Sequence, residues 1–290
     1  MDEVLVIDLG GTKTNVSFIK SNDSKINVIS SDVFPTCSDP KLQIESIISI
    51  ASSKNKKINS LSLSLPGRWN KNGILQESFF LHKWLEYPFI EKLANNLNVK
   101  NYAFETDVIC AALGEYHYGV GISRDQPLLY INLGTGIGAA LIKDGKPFKS
   151  PSKPTLRMQK LVIPFQDELF SGVDLISGGT LTGISKYGSV EKLFSDYKLA
   201  KIEALDIISK AQTQLAAWLI NLFYLLAPEL IVLGGGLTND WDVLVEGAID
   251  LAKEELENEV EILPGKLKDL APIYGAYINF CQMKSHNLAF

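Results

Sequence analysis

Two short apolar runs that each end in a glycine- and threonine-bearing turn constrain this chain most. They read VLVIDLGGTKTNVSF (Val4–Phe18) and LLYINLGTGIGAALI (Leu128–Ile142). In each, a second apolar run follows the turn, which is the pattern of a β-hairpin. Glycine at the bend lets an anion approach backbone N–H groups closely. The plain alternative is a hairpin that needs glycine only to turn. Two such turns in one chain point to two similar halves that close on one polyphosphate.

The 290 residues suffice for two domains of ordinary size. With 46% hydrophobic and 21% charged residues the composition is globular. A net charge of −5 supplies no basic field, so nucleic acid is not an expected partner. The three cysteines (Cys37, Cys110, Cys281) form no CxxC pair, and His82, His117 and His286 are far apart. A zinc site is therefore unsupported, and the cysteine usage fits a reducing, cytoplasmic setting. A strand beginning near Val4 leaves no room for a signal peptide. Ala216–Leu237 approaches the length of a membrane span, yet Asn221, Pro228 and Glu229 interrupt it. It reads as a buried helix (Ala204–Ala227), a turn, and a buried strand (Leu230–Leu233), so no membrane is expected.

Along the first half, strands are expected at Val4–Leu9, Asn15–Lys20, Lys25–Val33, Ser60–Leu65 and Asn101–Glu105. Helices are expected at Pro40–Ser53, Tyr87–Asn96 and Val108–Tyr118. The second half repeats the plan with a hairpin over Leu128–Lys143 and the strand Leu230–Leu233. Its helices are expected at Gly179–Tyr187, Val190–Tyr197, Ala204–Ala227, Asp242–Leu256 and Ala271–Phe280. This is an α/β chain with a duplicated mixed sheet flanked by helices. The Pro- and Lys-rich stretch Lys146–Pro164 matches no packed element; it reads as a loop over the cleft or as a surface excursion.

Four segments occur in a telling order: DLGGTKT (Asp8–Thr14), ETDVICAALGE (Glu105–Glu115), LGTGIG (Leu133–Gly138) and IVLGGGLT (Ile231–Thr238). Together with the ending LAPIYGAYINF (Leu270–Phe280) they resemble the ROK family of sugar kinases and repressors, within the actin/hexokinase/Hsp70-like superfamily. The resemblance implies a two-lobed actin-like (ribonuclease H-like) fold with a central cleft. It places one lobe at residues 1–107 plus 272–290 and the other at 108–271.

That resemblance also implies ATP and Mg²⁺ as cofactors. Asp8 would hold the metal, usually through water, since Mg²⁺ suits few carboxylates plus phosphate oxygens. Gly10, Gly11, Thr12 and Lys13 would cradle phosphate, as would Gly134, Thr135, Gly136 and Gly138. Gly234, Gly235 and Gly236 would let the adenosine moiety lie flat, or would simply turn a strand into a helix. Asp107 would be the general base on the substrate hydroxyl; read alone, it is a helix cap.

The chain departs from the family pattern in four places. Thr106 stands where the family usually carries Asn before the catalytic Asp. The GExGH segment and the cysteine-rich zinc motif are absent. Asp167, ahead of Ser171-Gly172, replaces a longer glutamate. Basic residues Lys149, Lys153, Arg157 and Lys160 stand in the region of the lost acid and histidine, with Arg68 and Lys83 in the stretch that usually borders the sugar. Arginine and lysine favour carboxylate partners, although such side chains are also ordinary solvated surface charges.

The expected activity is thus phosphoryl transfer from Mg-ATP to a sugar or sugar acid, with 2-keto-3-deoxygluconate favoured. Thr106, Asp107, Arg157, Asp167 and Gly67 are the candidate substrate contacts. The alternatives are a hexokinase or glucokinase, an N-acetylmannosamine kinase, or a non-catalytic sugar sensor. With seven residues before Asp8, no DNA-binding domain of the repressor type is expected ahead of it. Actin-like and chaperone-like ATPases have much longer chains. Family members are commonly homodimers, which is the expectation here.

Overall fold

The computed structural model describes residues 3–22, 25–78, 81–149, 157–165, 168–171, 177, 181, 187–257 and 259–287. The chain divides into two compact units, Met1–Gly114 with Asp269–Phe290, and Glu115–Lys268.

In the first unit, β1 (Val4–Leu9), β2 (Lys13–Asn22) and β3 (Lys25–Pro35) form an antiparallel meander. Helix α1 (Pro40–Ser53) follows; Asp39 caps it by accepting the Lys41 N–H, with proline at its first position. Strand β4 (Ser60–Leu65) pairs parallel to β1. The short hairpin β5 (Arg68–Trp69) and β6 (Leu75–Glu77) leads through a 3₁₀ turn to α2 (Phe89–Asn96). Strand β7 (Asn101–Thr106) pairs parallel to β4 and feeds α3 (Asp107–Tyr118). The sheet order is β3-β2-β1-β4-β7.

The second unit repeats that order. Strands β8 (Leu128–Leu133) and β9 (Ile137–Lys143) form the hairpin, and β10 (Lys146–Pro147) extends it. After the hairpin β11 (Val162–Phe165) and β12 (Glu168–Ser171) come α4 (Val190–Lys198) and α5 (Ile202–Leu226). Strand β13 (Leu230–Gly234) pairs parallel to β8, α6 spans Trp241–Ala252, and β14 (Glu261–Pro264) pairs parallel to β13. The order is β10-β9-β8-β13-β14, the same hairpin-then-parallel arrangement as in the first sheet. Helix α7 (Ala271–Asn287) returns to the first unit. The expected α/β duplication is what the chain folds into.

The long apolar run resolves as α5, a left-handed Ala227 at φ +44°, and β13. Among the described residues no helix is long and apolar enough to cross a membrane. The reading of Lys146–Pro164 as lacking packed structure is corrected in part. Met158 is buried in the second unit's core, and its carbonyl accepts the Trp218 indole N–H at 3.3 Å. Pro164 sits in a two-stranded ribbon, where both strands are edges and a missing N–H is tolerated. Residues 150–156, and most of the helix expected at Gly179–Tyr187, lie outside the described residues.

Two glycines set how α3 meets α7. A Cβ on Gly275 would lie 1.6 Å from the Cys110 carbonyl oxygen, and one on Gly114 2.2 Å from that of Ala271. Within the second unit, the buried Glu115 accepts N–H bonds from Leu267 (2.7 Å) and Val120 (3.1 Å).

Candidate active site

The first turn closes with the Gly10 N–H donating to the Lys13 carbonyl at 2.8 Å. Among the described residues, the N–H groups of Gly11 and Thr12 meet no protein acceptor. The second turn closes with the Gly134 N–H donating to the Gly136 carbonyl at 3.0 Å, leaving Thr135 and Gly136 exposed with their N–H groups likewise uncommitted. A Cβ on Gly136 would meet nothing within 4 Å, so that turn has room in front of it. Each hairpin thus presents backbone donors that suit a phosphate oxygen. Gly138 lies within β9, beyond the bend, paired with Asn132. The Lys13 ammonium is paired with Asp269 at 3.0 Å, an exposed contact.

The glycine triplet after β13 divides by role. A Cβ on Gly234 would strike the Tyr130 hydroxyl at 2.2 Å. Gly235 has φ +93° and would strike the Leu133 carbonyl at 2.4 Å. Packing accounts for both, while Gly236 faces open space. Gly67 is set by the backbone as well, with φ +85° and the Glu77 carbonyl 2.5 Å from where a Cβ would lie.

Two carboxylates of the first unit interact. Asp8, at the end of β1, accepts the Ser64 hydroxyl on Oδ1 at 2.6 Å. Burial raises its pKa to about 7 against that hydrogen bond, and the charge of Asp107 pushes the same way. Asp107 opens α3 and accepts the Val108 N–H at 2.8 Å. Burial raises it to about 6. Beside it, the buried Thr106 Oγ1 has no hydrogen-bond partner among the described residues. A buried hydroxyl left unmatched costs free energy unless a ligand meets it.

No group of three or more His, Cys, Asp or Glu side chains that could hold a metal occurs among the described residues. That does not disfavour Mg²⁺, which takes one or two carboxylates and completes its shell with water and phosphate. Asp8, desolvated and close to a second carboxylate, fits it. Arg157, Lys149 and Lys160 are exposed, Lys153 and Asp167 lie outside the described residues, and the sequence reading gave Ser64 no role. Only strand pairing reveals it: Ser64 is the in-register partner of Asp8 on the neighbouring strand.

A duplicated β3-β2-β1-β4-β7 sheet with a glycine turn in each hairpin defines the actin-like ATPase class of proteins. The ROK family model matches residues 4–152 and 185–282, and the chain belongs to that family. It is 32% identical over 187 residues to an uncharacterized protein of Clostridium perfringens, spanning 61% of this chain and 62% of that one. It is 24% identical to a beta-glucoside kinase of Listeria innocua, over 98% of this chain and 99% of that one. Among solved structures it is similar to a ROK hexokinase from Thermus thermophilus, at a TM-score of 0.81 and 21% identity, covering 98% of this chain and 100% of the other. The family match leaves out 153–184, which overlaps the Lys146–Pro164 stretch where the GExGH segment is missing.

Proposed function

We propose that this protein is an ATP-dependent carbohydrate kinase that uses Asp107 as general base. The observation that carries the reading is the Asp107 carboxylate, held near pKa 6 at the start of α3 and within electrostatic reach of Asp8. A base poised near neutrality is ionised at working pH and still accepts a proton readily. The relatives named beta-glucoside kinase and fructokinase, and a Streptomyces griseus glucokinase solved with glucose and AMPPNP, support the reaction class.

In this mechanism Asp107 takes the proton of an acceptor hydroxyl as its oxygen attacks the γ-phosphorus. A C–O–P ester bond forms, the bond from γ-phosphorus to the bridging oxygen breaks, and ADP leaves with the electron pair. Thr106 Oγ1 hydrogen-bonds the acceptor, which would satisfy its orphaned hydroxyl. In the first unit Gly11 and Thr12 offer backbone N–H groups suited to phosphate oxygens; in the second unit Thr135 and Gly136 do the same, and Gly236 leaves space for a nucleoside. Asp8 would hold Mg²⁺, which neutralises phosphate charge when bound.

The finer reading is a sugar-acid acceptor such as 2-keto-3-deoxygluconate, bound through Arg157 with Lys149 and Lys160, all exposed cations. A guanidinium holds a carboxylate in a bidentate fork, which supports that choice. Neutral hexoses, fructose and N-acetylmannosamine are the competing acceptors. We also read the protein as a homodimer, a state that light scattering measures directly.

The test is ADP release from Mg-ATP against 2-keto-3-deoxygluconate, gluconate, glucose, fructose and N-acetylmannosamine. Turnover with any of these supports the kinase, and turnover confined to the keto-deoxy acid supports the finer reading. Binding of a sugar without turnover would instead make the protein a sensor.

A further inference from the structure

We infer that Thr36 and Gln43 are positioning residues that hold the first glycine turn with its N–H groups facing outward. The inference rests on the proposal that this turn binds nucleotide phosphate. Neither residue belongs to the turn; both come from the β3–α1 connection and the first turns of α1.

The hydrogen bonds form one directional chain. The Thr36 hydroxyl donates to the Gly10 carbonyl at 2.9 Å. A hydroxyl has a single proton, so its 2.8 Å contact with Thr14 Oγ1 has Thr14 as donor. Thr14 in turn accepts from Gln43 Nε2 at 2.9 Å. Gln43 Oε1 accepts the Cys37 N–H at 2.7 Å, which fixes which end of the amide faces Thr14. The sequence of donation is Gln43 to Thr14 to Thr36 to Gly10. Thr14 and Gln43 are wholly buried, so water does not replace a missing link without a cavity forming.

The same residue grips the turn a second time. The Thr36 N–H donates to the Thr12 carbonyl at 2.9 Å, and the Lys13 carbonyl is taken by Gly10. Carbonyls of Gly10, Thr12 and Lys13 are thus all held by donors of the protein. A peptide flip that brought one of them forward would set a carbonyl oxygen against a phosphate oxygen. The Gly10 carbonyl shares its peptide plane with the Gly11 N–H, so holding that carbonyl back keeps this N–H pointed the other way, uncommitted beside that of Thr12, and no rearrangement of that peptide is needed when the anion arrives.

Thr36→Val removes the hydroxyl at nearly constant volume, while Thr36→Ser keeps it. The valine variant is expected to weaken binding of Mg-AMPPNP about tenfold, or ~1.4 kcal/mol, in titration calorimetry. It should raise KM for Mg-ATP by a similar factor and leave KM for the sugar within about twofold. Thr36→Ser should restore nucleotide binding to within about threefold of the parent. Gln43→Met, which cuts the chain one link further away, should shift the same constant in the same direction, and it serves if the valine variant does not fold. The inference is overturned if Thr36→Val binds nucleotide as the parent does, if both ligands weaken equally, or if serine fails to rescue. A parent protein that binds no Mg-AMPPNP would overturn the kinase reading and this inference together. A parent that binds it, with indifferent Thr36 and Gln43 variants, would overturn this inference alone.

Discussion

Asp8 and Ser64 stand in register on parallel strands, and the Ser64 hydroxyl donates to Asp8 Oδ1 at 2.6 Å. That one bond does not offset burial, so the carboxyl titrates near 7 in the folded, metal-free protein instead of near 3.8. The folded state therefore keeps a proton that the unfolded chain releases. This contribution to stability is complete below about pH 4 and is lost as pH rises through about 7. Asp107, at about 6, acts in the same sense. Scanning calorimetry of the metal-free protein from pH 5 to pH 8 should show a falling unfolding temperature, and Asp8→Asn should flatten it. A parent profile as flat as that of the variant would contradict the assignment.

Asp107→Asn removes the base and keeps the side-chain shape. It should lower kcat by roughly 10²–10⁴-fold, the usual worth of a positioned base, with Mg-AMPPNP affinity nearly unchanged. In the parent enzyme kcat/KM should rise with pH and level off above an apparent pKa near 6, because the ionised form is the active one. Turnover of the asparagine variant near the parent's would remove Asp107 from that role.

The glycines separate folding from binding. Gly235→Ala meets both a φ of +93° and a carbonyl at 2.4 Å, so chemical denaturation should show a loss of at least ~2 kcal/mol. Gly136→Ala meets nothing within 4 Å and should change stability by less than about 0.5 kcal/mol. Its methyl group stands where a phosphate would come, so its KM for Mg-ATP should rise.

Arg157→Ala tests the acceptor. If a sugar acid is the substrate, its KM should rise about tenfold or more with KM for Mg-ATP unaffected, as expected for loss of a charge-assisted hydrogen bond. An equal change for acid and neutral acceptors would leave Arg157 as an ordinary surface cation.

Much of the fold was legible because hairpins and buried strands announce themselves locally. Val4–Leu9 and Leu230–Leu233 are short apolar runs bounded by glycine, and they fold as read. The ribbon Val162–Phe165 with Glu168–Ser171, and the edge strand Glu261–Pro264, were not read. Each is four residues long and contains proline or mixed polarity, too short for a period to show. Asp8 and Asp107 were found through their motifs, whereas Ser64, Thr36 and Gln43 carried no motif at all.

By itself, the sequence determined the two hairpins, the likeness of the two halves and the acidic residues at the strand ends, because periodicity and glycine placement act over a few neighbouring residues. Tertiary structure alone decided the environment of those groups. The alternation in Ser60–Leu65 would turn its serines to water by the usual rule, yet α7 covers them and Ser62 donates to the Ala276 carbonyl at 2.6 Å. Similarly, Asp8 becomes a near-neutral acid only when a strand from far along the chain and a second carboxylate close around it. Desolvation and long-range hydrogen bonds depend on which distant residues meet, and no local pattern encodes that.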